Sequence, residues 1–307
     1  MSVDLPLIIV NPKSGAGTSQ QKWASQAGII RANLGPFDCE FTKARGDAIR
    51  IAEEEAKKGR KLIVAVGGDG TISEVANGIL RSGSAAEMGV LPGGTGADFR
   101  RTLKIPSRLE EASRRLLSGS VRKLDAGRLT YIDHDGKEQT RYFINTASFG
   151  MSGRVAGRAN QSSRRFGGTI LYAIATLRTI VSYDHPEVFL QWDDQPVMRL
   201  KIITVCVANG PSFGGGMRIA PDAKPDDGIF DIVIVGDMKT HQVLLHSHRL
   251  YTGTFLSMEK VTCIRAKKLH AKPVDERVKV LLEADGETPG RLPATIEILP
   301  SAVPIRM

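Results

Sequence analysis

The sequence predicts an α/β domain built on a parallel sheet, followed by a second domain of antiparallel strands in a sandwich-like arrangement. Two patterns and one magnitude predict it. Up to residue 119, short apolar runs alternate with segments of helical periodicity, which is the signature of βαβ units. Beyond residue 125, strand-like segments succeed one another with few helices between them, divided by turns such as Asp133-His134-Asp135-Gly136. A chain of 307 residues also exceeds what one core usually organises. The expected domains are 1–124 and 125–299.

Taken in order, the run 5–10 reads as a first strand; it ends at Asn11-Pro12 and has no basic lead-in, so it is not read as a signal peptide. Trp23, Ala27, Ile30 and Leu34 mark one face of a helix. Residues 37–41 form a second strand, and Ala48, Ile51, Ala52 and Ala56 line a helix that stops at Gly59. The run 62–66 is uninterrupted and apolar, as in a strand buried on both faces of a parallel sheet. Ile72, Val75, Ala76, Ile79 and Leu80 then place a helix start near Thr71. A fourth strand at 88–91 leads into Pro92-Gly93-Gly94-Thr95-Gly96-Ala97-Asp98, and 107–119 is a helix. In the second domain, strands are expected at 127–132, 141–148, 188–192, 199–208, 228–235, 261–269, 278–284 and 294–299.

Three loops at the carboxyl ends of the first domain's strands carry glycine with serine or threonine: 11–17, 67–71 and 93–98. A glycine turn feeding a helix N-terminus offers free N–H groups and a positive dipole end, which favours phosphate. Asp69 stands inside such a turn, and a carboxylate beside phosphates makes sense where Mg²⁺ bridges them. One such loop is equally well a tight turn with Asp69 as a cap. Three on one sheet edge predict a nucleotide pocket.

Composition narrows the partners. Hydrophobic residues at 41% and charged residues at 24% describe an ordinary globular protein. The net charge of +9 suits an anionic partner. Aromatic residues make up only 6%, with no basic stretch interleaved among them, so a nucleic-acid groove is poorly supported and a nucleic-acid binder, resting on charge alone, is a distant third reading. Cys39, Cys206 and Cys263 are too scattered for a disulfide framework or metal knuckle, which fits a reducing cytoplasm. No run reaches the length that crosses a bilayer, so any membrane contact is expected to be peripheral. Arg154, Arg158, Arg164 and Arg165 precede the apolar stretch 170–177, with Arg178 behind it. That pattern fits an ordinary core helix after an arginine-rich loop better than it fits an anionic bilayer contact.

These residues resemble the diacylglycerol kinase catalytic family, which includes sphingosine kinases and soluble bacterial lipid kinases. The resemblance rests on Asn11-Pro12-Lys13-Ser14-Gly15, on Gly67-Gly68-Asp69-Gly70-Thr71 with Glu74 and Asn77-Gly78, and on Leu91-Pro92-Gly93-Gly94-Thr95 with Asp98-Phe99. It continues through Asn145-Thr146-Ala147-Ser148-Phe149-Gly150, Asn209-Gly210 with Gly214-Gly215-Gly216-Met217, Ala220-Pro221-Asp222-Ala223 with Asp227-Gly228, and Asp285-Gly286-Glu287. It implies a first domain like those of NAD kinase and 6-phosphofructokinase and a β-sandwich second domain. The tail 300–307 would return to the first domain, and lipid would meet ATP between the two.

Carried over by position, the nucleotide site would comprise Asn11, Pro12, Lys13, Ser14, Gly15, Thr42, Gly68, Asp69, Gly70, Thr71, Ile72, Ser73, Glu74, Thr95 and Asp98. Glu287 would be the base that accepts the lipid hydroxyl proton, with Asp285 its partner and Asp69 organising Mg²⁺ and phosphates. A second Mg²⁺, away from the chemistry, would be held by Asp227 and the carbonyls of Lys224 and Ile229. Without the resemblance, both acidic motifs would read as plain turns. Two positions depart from the family pattern: Ala97 stands where an asparagine is common, and Met151-Ser152 where an aspartate often follows Phe149-Gly150.

The reading is therefore an ATP- and Mg²⁺-dependent lipid kinase, cytoplasmic and peripherally bound to anionic membrane, acting on diacylglycerol or a related lipid. Its rivals are an NAD kinase-like enzyme sharing the Gly-Gly-Asp-Gly turn, opposed by 11–15 and 285–287, and a silent lipid- or nucleotide-binding protein supported only by Ala97. The sequence leaves the oligomeric state open, a homodimer included.

Overall fold

The computed structural model describes residues 5–14, 19–94, 98–161 and 183–307. The chain divides into two compact units, Met1–Ala126 with Pro300–Met307, and Gly127–Leu299.

The first unit has a parallel sheet in the order β2-β1-β3-β4, formed by β1 (Leu7–Val10), β2 (Asp38–Phe41), β3 (Leu62–Gly67) and β4 (Glu87–Pro92). Its central strands are continuous apolar runs because both faces are covered: β1 and β3 are buried throughout. The covering helices are α1 (Ser19–Leu34), α2 (Asp47–Lys57), α3 (Asp69–Ser82) and α5 (Leu109–Ser118), with a short α4 (Asp98–Thr102) between the last two. Helix α3 lies close against α2, since a Cβ on Gly78 would stand 2.4 Å from the Ile49 carbonyl oxygen. The chain's last residues also belong to this unit. Ile305 pairs in parallel with Met88, and the Ser301 N–H donates to Asp125 at 2.7 Å.

Helix α3 starts at Asp69, ahead of the expected Thr71. Gly68 is extended, with φ −87° and ψ −176°, and its carbonyl already accepts the N–H groups of Thr71 and Ile72. The glycine pair thus compresses the turn, and the helix begins directly at the end of β3.

The second unit holds β6 (Glu138–Phe143), β7 (Thr146–Gly150), α6 (Met151–Gln161), β8 (Glu187–Trp192), β9 (Met198–Ala208), β10 (Phe230–Gly236), β11 (Val261–Ala266), β12 (Lys268–Pro273) and β13 (Leu282–Ala284). Strands β5 (Val121–Asp133) and β14 (Gly290–Arg306) contribute residues to both units. Strand β9 joins two layers: residues 198–201 pair with β8, and 204–208 pair with β7. One layer runs β11-β10-β9-β7-β13; the other continues from β9 through β8, β12 and β14 to β5 and β6. Leu129, Phe143, Val188, Leu190 and Ile296 from one layer meet Phe149, Val207, Phe230, Ile232 and Leu282 from the other in a single core. A sandwich results.

Several boundaries differ from the sequence reading. The strand expected over 141–148 is two strands, β6 and β7, because the N–H groups of Ile144, Asn145 and Thr146 all donate to the Asp285 carboxylate and not to a neighbouring strand. The strand expected over 261–269 is likewise two, β11 and β12. At the junction the N–H groups of Lys267 and Lys268 donate to Asp193 as the chain leaves β10 for β8 and β14. The run 278–284 forms a regular strand, β13, over Leu282–Ala284, with an isolated bridge from Leu281 to Arg291 before it. This unit also carries more helix than expected: α6, α7 (Thr240–His246) and α8 (Arg249–Thr252). Arg164, Arg165, Arg178 and the apolar stretch 170–177 lie outside the described residues. Among the described residues, no helix is long and apolar enough to cross a membrane.

Candidate active site

In the first unit the carboxyl ends of β1, β3 and β4 bring three loops together. Asn11 ties the first to the second: its Nδ2 donates to Thr71 Oγ1 at 3.1 Å, while its Oδ1 accepts the Lys13 N–H at 3.0 Å. Ser14 Oγ donates to the Asn11 carbonyl at 2.8 Å, closing residues 11–14 into a tight turn that also contains Pro12. The second and third loops meet backbone to backbone. A Cβ on Gly94 would stand 2.4 Å from Gly68 Cα, and one on Gly93 would stand 2.7 Å from Gly67 N. Gly15, Thr95 and Ala97 lie outside the described residues.

The acidic residues of this unit are engaged as braces. The Asp69 carboxylate accepts the N–H groups of Phe99 at 3.2 Å and Asp98 at 3.4 Å, which fixes the start of α4 against that of α3. Buried Asp98 pairs with Arg101 at 2.7 Å. Glu74 caps α2 from a distance: its two oxygens accept the N–H groups of Gly46 at 3.0 Å and Ala48 at 3.2 Å. This holds the segment that follows Thr42, whose own N–H donates to the Val10 carbonyl. Ile72 and Ser73 are buried within the unit. The first turn of α3 contributes Asp69, Gly70 and Thr71. A Cβ on Gly70 would meet nothing within 4 Å, so the fold leaves open space beside a helix N-terminus. That is a cradle suited to phosphate oxygens.

Gly94→Ala is expected to wedge the second and third loops apart. The added carbon would meet the Gly68 backbone, which has no rotamer to move away, at a cost of about 1–3 kcal/mol. Calorimetric titration should show nucleotide affinity falling at least about tenfold, with each 1.4 kcal/mol worth a factor of ten. Unchanged affinity would mean that this contact does not shape the pocket.

In the second unit Asp285-Gly286 forms the two-residue turn after β13. Both have positive φ, 46° and 84°, and the N–H groups of Ala284 and Glu287 donate to each other's carbonyls at 2.8 and 3.0 Å. This is a type I′ turn, for which Asp-Gly is a preferred sequence. The turn is tied in by its acid: Asp285 Oδ1 accepts from Asn145 and Thr146, both at 3.1 Å, and Oδ2 accepts from Ile144 at 3.0 Å. Asn145 and Asn209 stitch the same place together, donating to the Ser212 and Ile144 carbonyls respectively, each at 2.8 Å. Glu287 leaves the turn half-buried and pairs with Arg141 Nη1 at 3.0 Å.

The diacylglycerol kinase catalytic domain model matches residues 6–129, and the YegS C-terminal NAD kinase beta sandwich-like domain matches residues 145–307. The diacylglycerol kinase of Staphylococcus haemolyticus is 30% identical over 290 residues, covering 94% of this chain and 83% of that protein. The chain belongs to the diacylglycerol kinase family. A crystal structure from Bacillus anthracis str. Sterne superposes with a TM-score of 0.79 at 26% identity, covering 99% of this chain and 95% of that one. Yeast NADH kinase, solved with NADH, shares the fold alone, with a TM-score of 0.53 at 10% identity over 98% of this chain and 82% of its own.

As a kinase of the diacylglycerol kinase family, the protein uses a nucleotide donor. Its second unit holds two charged groups that the sequence reading passed over. Arg141 is one. The other is Glu283, which is 5% exposed and lies two residues before Asp285. Its oxygens accept from Ser148 Oγ and the Gly286 N–H, each at 2.5 Å. A glutamate inside the apolar strand Leu281-Leu282-Glu283-Ala284 was the available signal, because a buried charge is the informative exception in such a run.

Burial pushes the Glu283 carboxyl up to about 7, with Asp285 adding to the rise and Ser148, Gly286 and Arg141 opposing it. A carboxyl raised above its unfolded value binds more protons in the folded state. Its contribution to stability is therefore complete below about pH 4.5 and is lost as pH climbs through about 7. Each tenfold change in proton affinity is worth about 1.4 kcal/mol, so up to roughly 3 kcal/mol is at stake. Glu283→Gln should flatten this fall in urea-melt stability between pH 4.5 and 7. A slope equal to that of the unaltered protein would place the titration elsewhere.

The loop that includes Lys224, Asp227 and Ile229 carries an excess of acid. Asp227 pairs with Arg265, while burial and the charges of Asp227 and Asp222 raise the Asp231 carboxyl. Among the described residues, no group of three or more histidine, cysteine or acidic side chains is spaced to hold a metal. A single carboxylate with backbone carbonyls and waters is a different donor set. Those donors, beside unbalanced negative charge, fit Mg²⁺ and not a softer ion.

Proposed function

We propose that this protein transfers the γ-phosphoryl group of Mg-ATP to the hydroxyl of diacylglycerol or a closely related lipid. Membership of the diacylglycerol kinase family makes it a lipid kinase. What supports this reading is that the chain carries both a Cβ-free cradle at the start of α3, in the first unit, and a half-buried Glu287 presented by a tight turn, in the second. The first supplies what a triphosphate requires and the second what a hydroxyl nucleophile requires.

In this reading the loops 11–15, 67–71 and 93–95 hold the phosphates through backbone N–H groups and hydroxyls, with Thr42 and Asp98 completing the nucleotide site. Asp69 would organise the waters of Mg²⁺, which would supply charge neutralisation on the phosphates. The lipid oxygen forms its bond to the γ-phosphorus, the bond to the β–γ bridging oxygen breaks, and ADP leaves. Glu287 takes the hydroxyl proton as the bond forms. Asp285 contributes by fixing the turn, because its oxygens are occupied by N–H groups. Asp227 with the carbonyls of Lys224 and Ile229 would hold the second Mg²⁺, whose role is to stiffen its loop.

The test is transfer of labelled γ-phosphate to diacylglycerol, monoacylglycerol, sphingosine, ceramide or phosphatidylglycerol in mixed micelles, with NAD as a further acceptor. Label on diacylglycerol or a near relative is expected. Label on NAD alone would move the protein to the NAD kinase reading, and ATP binding without label on any acceptor would support a silent binding protein. We also propose that the enzyme works peripherally on the cytoplasmic membrane face, its +9 charge drawing it to anionic lipid. Binding to phosphatidylglycerol vesicles should then weaken as salt rises from about 0.05 to 0.5 M, as the Debye length shortens. Salt-independent binding would rule against that attraction.

A further inference from the structure

Arg141 occupies a position where the strand pattern calls for an apolar residue. Along β6, Arg141 and Phe143 fall on the same face by alternation, and Phe143 is fully buried in the sandwich core. The cross-strand partner of Arg141 is buried Leu129. Its side chain is only 12% exposed. Nη1 meets Glu287 Oε2 at 3.0 Å, whereas Nε and Nη2 are buried with no hydrogen-bond partner among the described residues.

For folding alone this is a poor arrangement. An unsatisfied buried donor costs about 1–3 kcal/mol, and a buried ion pair is often no better than an apolar pair of the same volume. The nearby acids find their hydrogen-bond donors without the guanidinium, although its charge opposes the rise at Glu283. Asp285 is satisfied by three backbone N–H groups, and Glu283 by Ser148 and Gly286. What Arg141 does is fix the position of the Glu287 carboxylate.

We propose that Arg141 is the positioning residue for Glu287, holding its carboxylate aimed for proton transfer. This rests on the lipid kinase reading with Glu287 as base. A carboxylate fixed through one oxygen cannot swing into other rotamers, so the proton acceptor is in place before the lipid hydroxyl arrives. Lysine at 141 would keep the charge but lose the planar fork that fixes direction.

The test is steady-state kinetics in mixed micelles on Arg141→Lys, Arg141→Gln, Glu287→Asp and the double variant Arg141→Lys/Glu287→Asp, with thermal melts of each. We expect Arg141→Gln to lower kcat at least about tenfold at unchanged KM for ATP, and Arg141→Lys to recover part of it. Acting through one another, the two changes in the double variant should cost less than the product of the single effects. Arg141→Lys is the least disruptive change, so it carries the test should Arg141→Gln fail to fold. Normal kcat in Arg141→Lys and Arg141→Gln, or strictly multiplicative effects in the double variant, would overturn the proposal. Full activity in Glu287→Asp and Glu287→Gln would instead remove Glu287 as base, a separate failure of the reading beneath it.

Discussion

Glu287→Gln is expected to lower kcat by about 10²- to 10⁴-fold, the usual worth of a positioned general base. The amide keeps the shape and one acceptor oxygen for Arg141, so the turn should persist. What it loses is the ability to take a proton. The neighbouring acids are poor substitutes: Asp285 is held by the N–H groups of residues 144–146, and Glu283 is 5% exposed. ATP affinity should stay within about twofold, because the residues proposed to hold the nucleotide lie on other elements and none of them is altered. Rapid-quench measurement of a single turnover separates the phosphoryl-transfer step from product release. A single-turnover rate equal to that of the unaltered enzyme would show that Glu287 is not the base.

Asp285→Ala should fail more broadly, in structure as well as in activity. Three N–H groups in the break between β6 and β7 donate to this one carboxylate, at 3.0 to 3.1 Å. Hydrogen bonds to a charged group contribute about 1.5–3 kcal/mol each, and the segment is partly buried, so water replaces them incompletely. Alanine at φ 46° adds about 1 kcal/mol of backbone strain that aspartate and asparagine tolerate better. The summed loss, on the order of 5–10 kcal/mol, rivals the whole stability of many domains. Chemical denaturation followed by circular dichroism should show an early transition in Asp285→Ala. Asp285→Asn should retain part of the stability, since its single carbonyl oxygen still accepts and its backbone suits the turn. Equal stability of all three proteins would mean that these bonds do not hold the turn.

The fold class was written in local sequence. Continuous apolar runs at residues 7–10 and 62–66 can be satisfied only by burial on both faces, and the helical periods between them leave a parallel sheet as the economical solution. The glycine loops were equally legible, because close backbone approach leaves no other residue at Gly93 and Gly94. Legibility failed wherever a hydrogen bond crosses a long stretch of chain. The break at Ile144-Asn145 looks like continuous strand because its acceptor lies at Asp285, about 140 residues further on. Glu283 and Arg141 escaped for the same reason. Each breaks an apolar or alternating pattern by one residue, and only their partners give the break a meaning.

The sequence by itself determined the parallel α/β and sandwich classes, the Cβ-free turn at the start of α3 and the Asp-Gly reversal before Glu287. These are short-range consequences of burial periodicity and of which residues accept a tight or left-handed backbone. It took the folded chain to show which carboxylates serve as braces and that Glu287 meets a cation. Asp69, Glu74 and Asp285 are drawn into backbone N–H groups, and Glu287 is drawn to Arg141. A carboxylate's role depends on the donors that reach it, and folding brings those donors from distant parts of the chain.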